Sequence, residues 1–313
     1  MTNLGDATIV RLSRPEGQLA TTTDLVHPVC SDMRRSGQIS AAHALSDLYA
    51  VLSIPAFATV TLGWGGDLDV SAAADLLHGV ADVLEGAGCA YAGGHTVRAE
   101  HAYVSLTVTG VVDELSLSGA ESPAPGDVLC VSRPLGSGIA LSALQLGLVS
   151  EPELEAILSQ LTLTSASVAD HLRRARAQVP STVTWVTDVT GFGLVHQVHR
   201  PGFIVEVDIA SVPFYAGTVE LARLGASTSL GDQNLLDSLE FCTYKGAPHE
   251  VAEARVLLND PQTSGPLLFA VDASAFASPW GAELVALGCT AIGCVGSADE
   301  GEVTNVLVDC RRA

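Results

Sequence analysis

Residues 184–197, TWVTDVTGFGLVHQ, decide how this chain is read. The β-branched run from Val183 to Val189 predicts a buried strand, and Gly191-Phe192-Gly193 a turn into an apolar, helix-like segment. A strand that ends in a glycine turn at a helix start forms a ready cradle for phosphate, because unpaired backbone N–H groups point outward there. Asp188 stands where that anion would lie. A carboxylate in this position implies a cation between it and any phosphate.

Outward from this stretch, strands and helices alternate in both directions. Thr21–Val29 predicts a strand that leaves through His27-Pro28, Gly37–Val51 an Ala-rich helix, and Phe57–Leu62 a strand. Ser71–Glu85 predicts a helix with Ser71 as N-cap. Gly93-Gly94 predicts a tight turn, followed by a half-buried strand over Tyr103–Val112. Further on come a strand at Val128–Ser132 and a helix at Gly138–Leu146. The Ser150/Glu153 pair has capping-box spacing ahead of another helix. Gly225–Asn234 is expected to be an irregular loop. The Ser-, Pro- and Gly-rich segment Glu114–Asp127 sets a boundary, giving domains 1–115 and 116–313. Interleaved elements on both sides make the class α/β or α+β with two domains.

The bulk numbers fit. At 313 residues the chain exceeds what one hydrophobic core usually serves, and 48% hydrophobic against 16% charged residues leaves ample core material. A net charge of −20 argues against nucleic acid as a partner, since such binding needs clustered Lys and Arg. Apolar stretches such as 136–149 and 284–296 are too short to span a bilayer, so no membrane partner is expected. The seven cysteines are scattered without C-x-x-C spacing, which suits reduced thiols. With no signal peptide visible, the expected location is cytoplasmic. Lys245 is the single lysine, so ammonium groups cannot do most of the work of neutralising a polyphosphate. Metal ions would have to.

Four aspartates share an unusual setting: Asp24 in TTTDLV, Asp47 in ALSDLY, Asp188 in VTDVTG and Asp260 in LLNDPQ. Each lies among apolar or small residues with no Lys or Arg within three positions. An unpaired buried carboxylate costs several kcal/mol or takes up a proton. A solvated turn is the simpler alternative for any one of them, and helix N-capping for Asp188. Mg²⁺ removes the tension for the set, because it prefers carboxylate oxygen and commonly bridges protein aspartates to substrate phosphates. Two loops would fit such a site. AGGHT (Ala92–Thr96) places flexible backbone beside an imidazole and a hydroxyl, and DPQTSG (Asp260–Gly265) offers an exposed turn of donors and acceptors.

Taken in order, TTTDLVHPV, GQISAAHALSDLYAV, AGCAYAGGHT, PGDVLCVSRPLGSGI, TDVTGFGLV and NDPQTSGPLL resemble selenophosphate synthetase (selenide, water dikinase). The resemblance runs from Gly5 to near the end of the chain. TDVTGFG and DPQTSG together favour this family over aminoimidazole ribonucleotide synthetase, thiamine-phosphate kinase and the hydrogenase-maturation dehydratase, its relatives in one superfamily. It implies an aminoimidazole ribonucleotide synthetase-like fold, with an N-terminal ATP/metal-binding and dimerisation domain and a C-terminal α/β domain. It also implies a homodimer whose N-terminal strands form a shared barrel. The cofactors would be ATP and Mg²⁺, and the product selenophosphate from selenide. By motif, Asp6 in GDATIV, Asp47 and Asp188 would bind Mg²⁺. Asp24 and Asp47 would face the nucleotide, and Gly94, His95 and Thr96 would reach ATP bound in the partner subunit.

Some positions depart from the family. Its reactive Cys or selenocysteine, and the lysine after it, find no match in this sequence, so no catalytic residue is assigned. His43 stands where the family has Asn, Thr162 where an Asn is usual, GFGLVHQ replaces GFGLLGH, and Pro266 replaces the second Gly of TSGG. A nucleotide-binding regulatory paralogue, or a phosphotransferase with another small acceptor, is therefore an alternative reading.

Overall fold

The computed structural model describes residues 2–3, 8–11, 18–66, 68–112, 123–199, 203–297 and 306–311, the first two stretches as backbone only. Two compact units emerge, Met1–Ser118 with Leu158–Asp170, and Gly119–Ile157 with His171–Ala313.

In the first unit, strands β1 (Thr2–Asn3), β2 (Thr8–Arg11), β3 (Gln18–Val26), β4 (Ile54–Trp64), β5 (Ala90–Arg98) and β6 (Tyr103–Val112) form one sheet. Its order is β1-β2-β3-β6-β4-β5, with β4 and β5 parallel. Helices α1 (Met33–Ala50) and α2 (Val70–Gly86) belong with it. The period-two alternation of β6 buries Val104, Leu106 and Val108 completely, together with Ala58 of β4 and Ala20 of β3. The two helices touch through glycines. A Cβ on Gly37 would lie 1.9 Å from the Leu76 carbonyl oxygen, and one on Gly79 would lie 1.8 Å from that of Arg34. This close approach fixes the lie of α1, which carries Asp47.

Sequence and structure differ in two places here. Gly93 and Gly94 lie inside β5 and make no tight turn, although Gly93 keeps a positive φ of 98°. Gly94 is needed for closeness, since a Cβ there would meet the Val60 carbonyl oxygen at 1.8 Å. The cap of α2 is Asp69, which accepts from the Ala72 N–H at 2.8 Å, one turn-residue pair earlier than Ser71. The chain by itself forms an open sheet, with no closed barrel among the described residues.

The second unit is built on a seven-stranded mixed sheet in the order β10-β13-β9-β12-β7-β11-β8. Its strands are β7 (Val128–Val131), β8 (Val183–Asp188), β9 (Phe203–Asp208), β10 (Cys242–Lys245), β11 (Leu267–Val271), β12 (Thr290–Ser297) and β13 (Val306–Asp309). All five residues of β11 are buried, as befits a continuous apolar run between two neighbours. In chain order the remaining helices are α3 (Ser137–Gln145), α4 (Glu155–Leu161), α5 (Ala166–Gln178), α6 (Gly193–Val198), α7 (Thr218–Arg223), α8 (Ser229–Ser238) and α9 (Pro248–Leu258), before two short helices at Ala273–Phe276 and Pro279–Ala286; Leu158–Asp170, which takes in parts of α4 and α5, belongs to the first unit. The Ser150/Glu153 capping box is present. The segment expected to be a loop at 225–234 instead starts α8, whose cap is Thr228 accepting from the Gly231 N–H at 3.0 Å. Thr228 is the signal that the glycines around it obscure. No helix among the described residues is long and apolar enough to cross a membrane.

Candidate active site

Strand β3 turns alternate side chains towards α1. Thr22 and Asp24 lie two residues apart and so share that face. Thr22 Oγ1 donates to Asp47 Oδ2 at 2.5 Å, tying strand to helix. His43 sits one turn ahead of Asp47 on α1, on the same helix face. Asp24 and His43 act on each other electrostatically. Burial raises the Asp24 carboxyl above its usual range and His43 pulls it back; burial lowers His43 and Asp24 opposes that. Thr22, Asp24, His43 and Asp47 are each half-buried, while Ala20, Ala42, Ala44, Leu45 and Ser46 around them are buried. The cluster is thus a polar recess in an apolar wall. Asp47 is tied to β3 through Thr22, two residues from Asp24. His43 is the member that sequence reasoning did not assign, and its i, i+4 spacing to Asp47 was the available signal.

Gly94, His95 and Thr96 lie elsewhere on the same sheet. Cross-strand register runs Asp24, Leu106, Val60, Gly94 in one row. Three strand spacings separate its ends, about 14 Å. These β5 residues line an open groove of about 300 Å³ with Val60, Leu62, Leu77 and Tyr91. Within one subunit they belong to the edge opposite β3, and the structure does not bring them to the Asp24–Asp47 recess.

In the second unit, Asp188 ends β8, opposite Leu267 of β11, and is 1% exposed. The turn after it is laced to the DPQTSG segment. Val189 N–H donates to the Pro266 carbonyl at 2.9 Å and Gln262 N–H to the Thr190 carbonyl at 2.9 Å. Asn234 Nδ2 donates to the Gly191 and Asn259 carbonyls at 3.0 and 3.2 Å. A Cβ on Gly265 would lie 1.7 Å from the Val189 carbonyl oxygen, so only glycine permits this approach. The N-cap position of α6 is Phe192, which makes no side-chain cap bond. Asp188 is a strand-end carboxylate held in a rigid frame.

DPQTSG is not the exposed turn its composition suggested. Asp260, Gln262 and Ser264 are all buried. Gln262 Oε1 accepts from Gly136 N–H at 2.8 Å, Ser137 N–H at 3.1 Å and Ser137 Oγ at 3.1 Å. Its Nε2 donates to Asp260 Oδ2 at 2.8 Å, which also accepts from Ile139 N–H at 3.1 Å. The two side chains therefore satisfy the N-terminal donors of α3, which its own cap Gly136 cannot. Asp260 Oδ1 has no hydrogen-bond partner, and burial pushes the carboxyl up to about 7 despite help from Ile139, Gln262 and Gly138. Hydrophobic and turn residues mask this role in the sequence, because the donors Asp260 serves are more than a hundred positions away.

Asp6 lies outside the described residues. Of the other two expected metal ligands, Asp47 belongs to the first unit and Asp188 to the second. Among the described residues no three His, Cys, Asp or Glu side chains converge on one metal position. Magnesium does not need such a cage, since it keeps water and phosphate oxygens alongside one or two carboxylates. The hard-oxygen donors Asp47, Asp24 and Thr22 suit it. All seven cysteines are free thiols, and burial holds Cys130, Cys242 and Cys289 up at about 12. Cys30 is buried, with Sγ 3.3 Å from Ser36 Oγ at the start of α1.

Residues 4–112 match the family AIR synthase related protein, N-terminal domain. The selenide, water dikinase of Porphyromonas gingivalis strain ATCC BAA-308 / W83 is 33% identical over 275 residues, which cover 86% of this chain and 75% of that one. The selenide, water dikinase of Pelobacter propionicus is 32% identical over 311 residues, 97% of this chain and 86% of that one. Among solved structures, AaThiL complexed with AMPPCP and TMP superposes with a TM-score of 0.67 at 20% identity, covering 99% of this chain and 89% of that one. That likeness places the chain in the aminoimidazole ribonucleotide synthetase-like fold.

Proposed function

The chain belongs to the selenide, water dikinase family, and from that premise we propose that it is an ATP- and Mg²⁺-dependent phosphotransferase that makes selenophosphate from selenide and ATP. The observation that carries this reading is the Asp24–Asp47 recess, a pair of carboxylates kept half-open between β3 and α1 with one oxygen already fixed by Thr22. In the first unit Asp47, with Asp6, and in the second unit Asp188 are each proposed as Mg²⁺ ligands. Bound there, the metal would neutralise charge on the transferring phosphoryl group.

The chain's own residues supply position. Phosphoryl transfer passes through a loose transition state, so catalysis rests on alignment and charge placement. Thr22 orients Asp47, the laced 188–193 turn holds Asp188, and burial excludes water from Asp188.

The reading includes a homodimer. One face of the first sheet carries Leu25, Ile54, Phe57 and Val111, exposed by 52, 50, 41 and 45%, among rows of threonines. His95 shares the row of Thr61, Ser105 and Leu25 on that sheet. Pairing two such faces would bury the apolar residues and bring the β5 edge of one subunit to the nucleotide of the other. This accounts for the distance between Gly94–Thr96 and Asp24 within a single chain.

Calorimetric titration with ATP tests the reading. Binding is expected in Mg²⁺ and is expected to fall at least tenfold without the metal or in Asp188→Asn, a near-isosteric change. Metal-independent binding of equal strength in both proteins would refute the assignment of Asp188.

A further inference from the structure

The short connection 27–32 and the Thr22–Asp47 hydrogen bond, near the far end of α1, make the helix run back along strand β3. Two residues along a strand advance about 6.7 Å. Four residues along a helix advance about 6.0 Å. The Thr22–Asp47 hydrogen bond therefore fixes the register of a second rung, where Asp24 meets His43. The mutual electrostatic influence of the two side chains agrees with that placement. On the first rung a hydroxyl from the strand orients a carboxylate on the helix. On the second the order is reversed, with a helix imidazole facing a strand carboxylate.

We propose that His43 is a positioning residue that donates a ring N–H to the Asp24 carboxylate and so fixes the face Asp24 presents to bound nucleotide. The inference rests on the Mg²⁺-ATP reading above. It follows from the ladder geometry: an unfixed carboxylate in a half-apolar recess would either rotate towards water or draw a proton, and a charge-assisted hydrogen bond prevents both. Asn, the residue the family carries at this position, also presents an N–H to Asp24; Leu, of similar bulk, presents none.

The test uses the full chain, with ATP in Mg²⁺ as probe, calorimetry for affinity and thermal melting alongside. His43→Leu is expected to weaken ATP binding about tenfold, the cost of one charge-assisted hydrogen bond. His43→Asn is expected to stay within about threefold of the wild type. Combined with Asp24→Asn, the Leu change is expected to add little to what Asp24→Asn costs alone, because both remove one interaction. A merely structural role would lower melting in both His43 variants and multiply with Asp24→Asn. If His43→Leu does not fold, His43→Ala serves as the donorless variant. Wild-type affinity in the donorless variant, no rescue by Asn, or multiplying losses in the double variant would each overturn the proposal. Failure of the unaltered protein to bind Mg²⁺-ATP would instead strike the functional reading itself.

Discussion

Asp260 carries the strongest electrostatic tension described in the second unit, and it shows what a single residue reveals and hides. Its context, LLNDPQ, announces a carboxylate without a local cation. That its partners are the N–H groups at the start of α3 cannot be read from a window of any length. The sign of its effect on stability follows from the shift. The folded value lies near 7, above the ordinary 3.8, so the folded protein holds a proton that the unfolded chain has released. Its stabilising contribution is complete below about pH 4 and is lost as pH rises to about 7. Asp260→Asn keeps the shape and one acceptor but no longer titrates. Its melting temperature is expected to gain on that of the wild type as pH rises from 5 to 8, and a pH-independent gap would contradict this. For the recess the sequence was more generous. Asp24 and Asp47 were singled out because their motifs are local, whereas His43 needed the strand–helix register to acquire a partner.

At the scale of elements, hydrophobic period placed the principal strands and helices, and ends were lost where glycine had two possible meanings. Gly93-Gly94 read as a turn because glycine pairs often are one. In the structure, Gly94 serves close packing against Val60 in a parallel strand pair, a contact between segments about thirty residues apart. Gly265 is the counterpart in the second unit. Any side chain there must displace the Val189 backbone, and with it the turn that follows Asp188. Gly265→Ala is expected to cost about 3 kcal/mol in urea unfolding. It should also weaken Mg²⁺-ATP binding through Asp188; a cost below about 0.5 kcal/mol would mean the two loops are not locked together.

For the whole molecule, the alternation of strands and helices was enough to give the class, but it could not show which sheet face stays open. That face is visible only once register places Leu25, Ile54, Phe57 and Val111 together. On a chain of net charge −20, this patch is the face on which the proposed homodimer would pair. Sedimentation is expected to give twice the chain mass for the wild type. Phe57→Glu, which places a charge at the centre of the face, is expected to give the single chain mass and to lose nucleotide binding that needs β5 of the partner. A monomeric wild type that binds ATP fully would rule out shared sites.

The most direct test of the central claim is phosphorus NMR of the full chain incubated with ATP, Mg²⁺ and selenide. The account predicts loss of the ATP resonances and growth of a selenophosphate signal, both dependent on Mg²⁺ and both abolished in Asp47→Asn. A folded protein that leaves ATP unchanged would contradict it, and ATP consumption without a phosphorus–selenium product would contradict selenide as the acceptor.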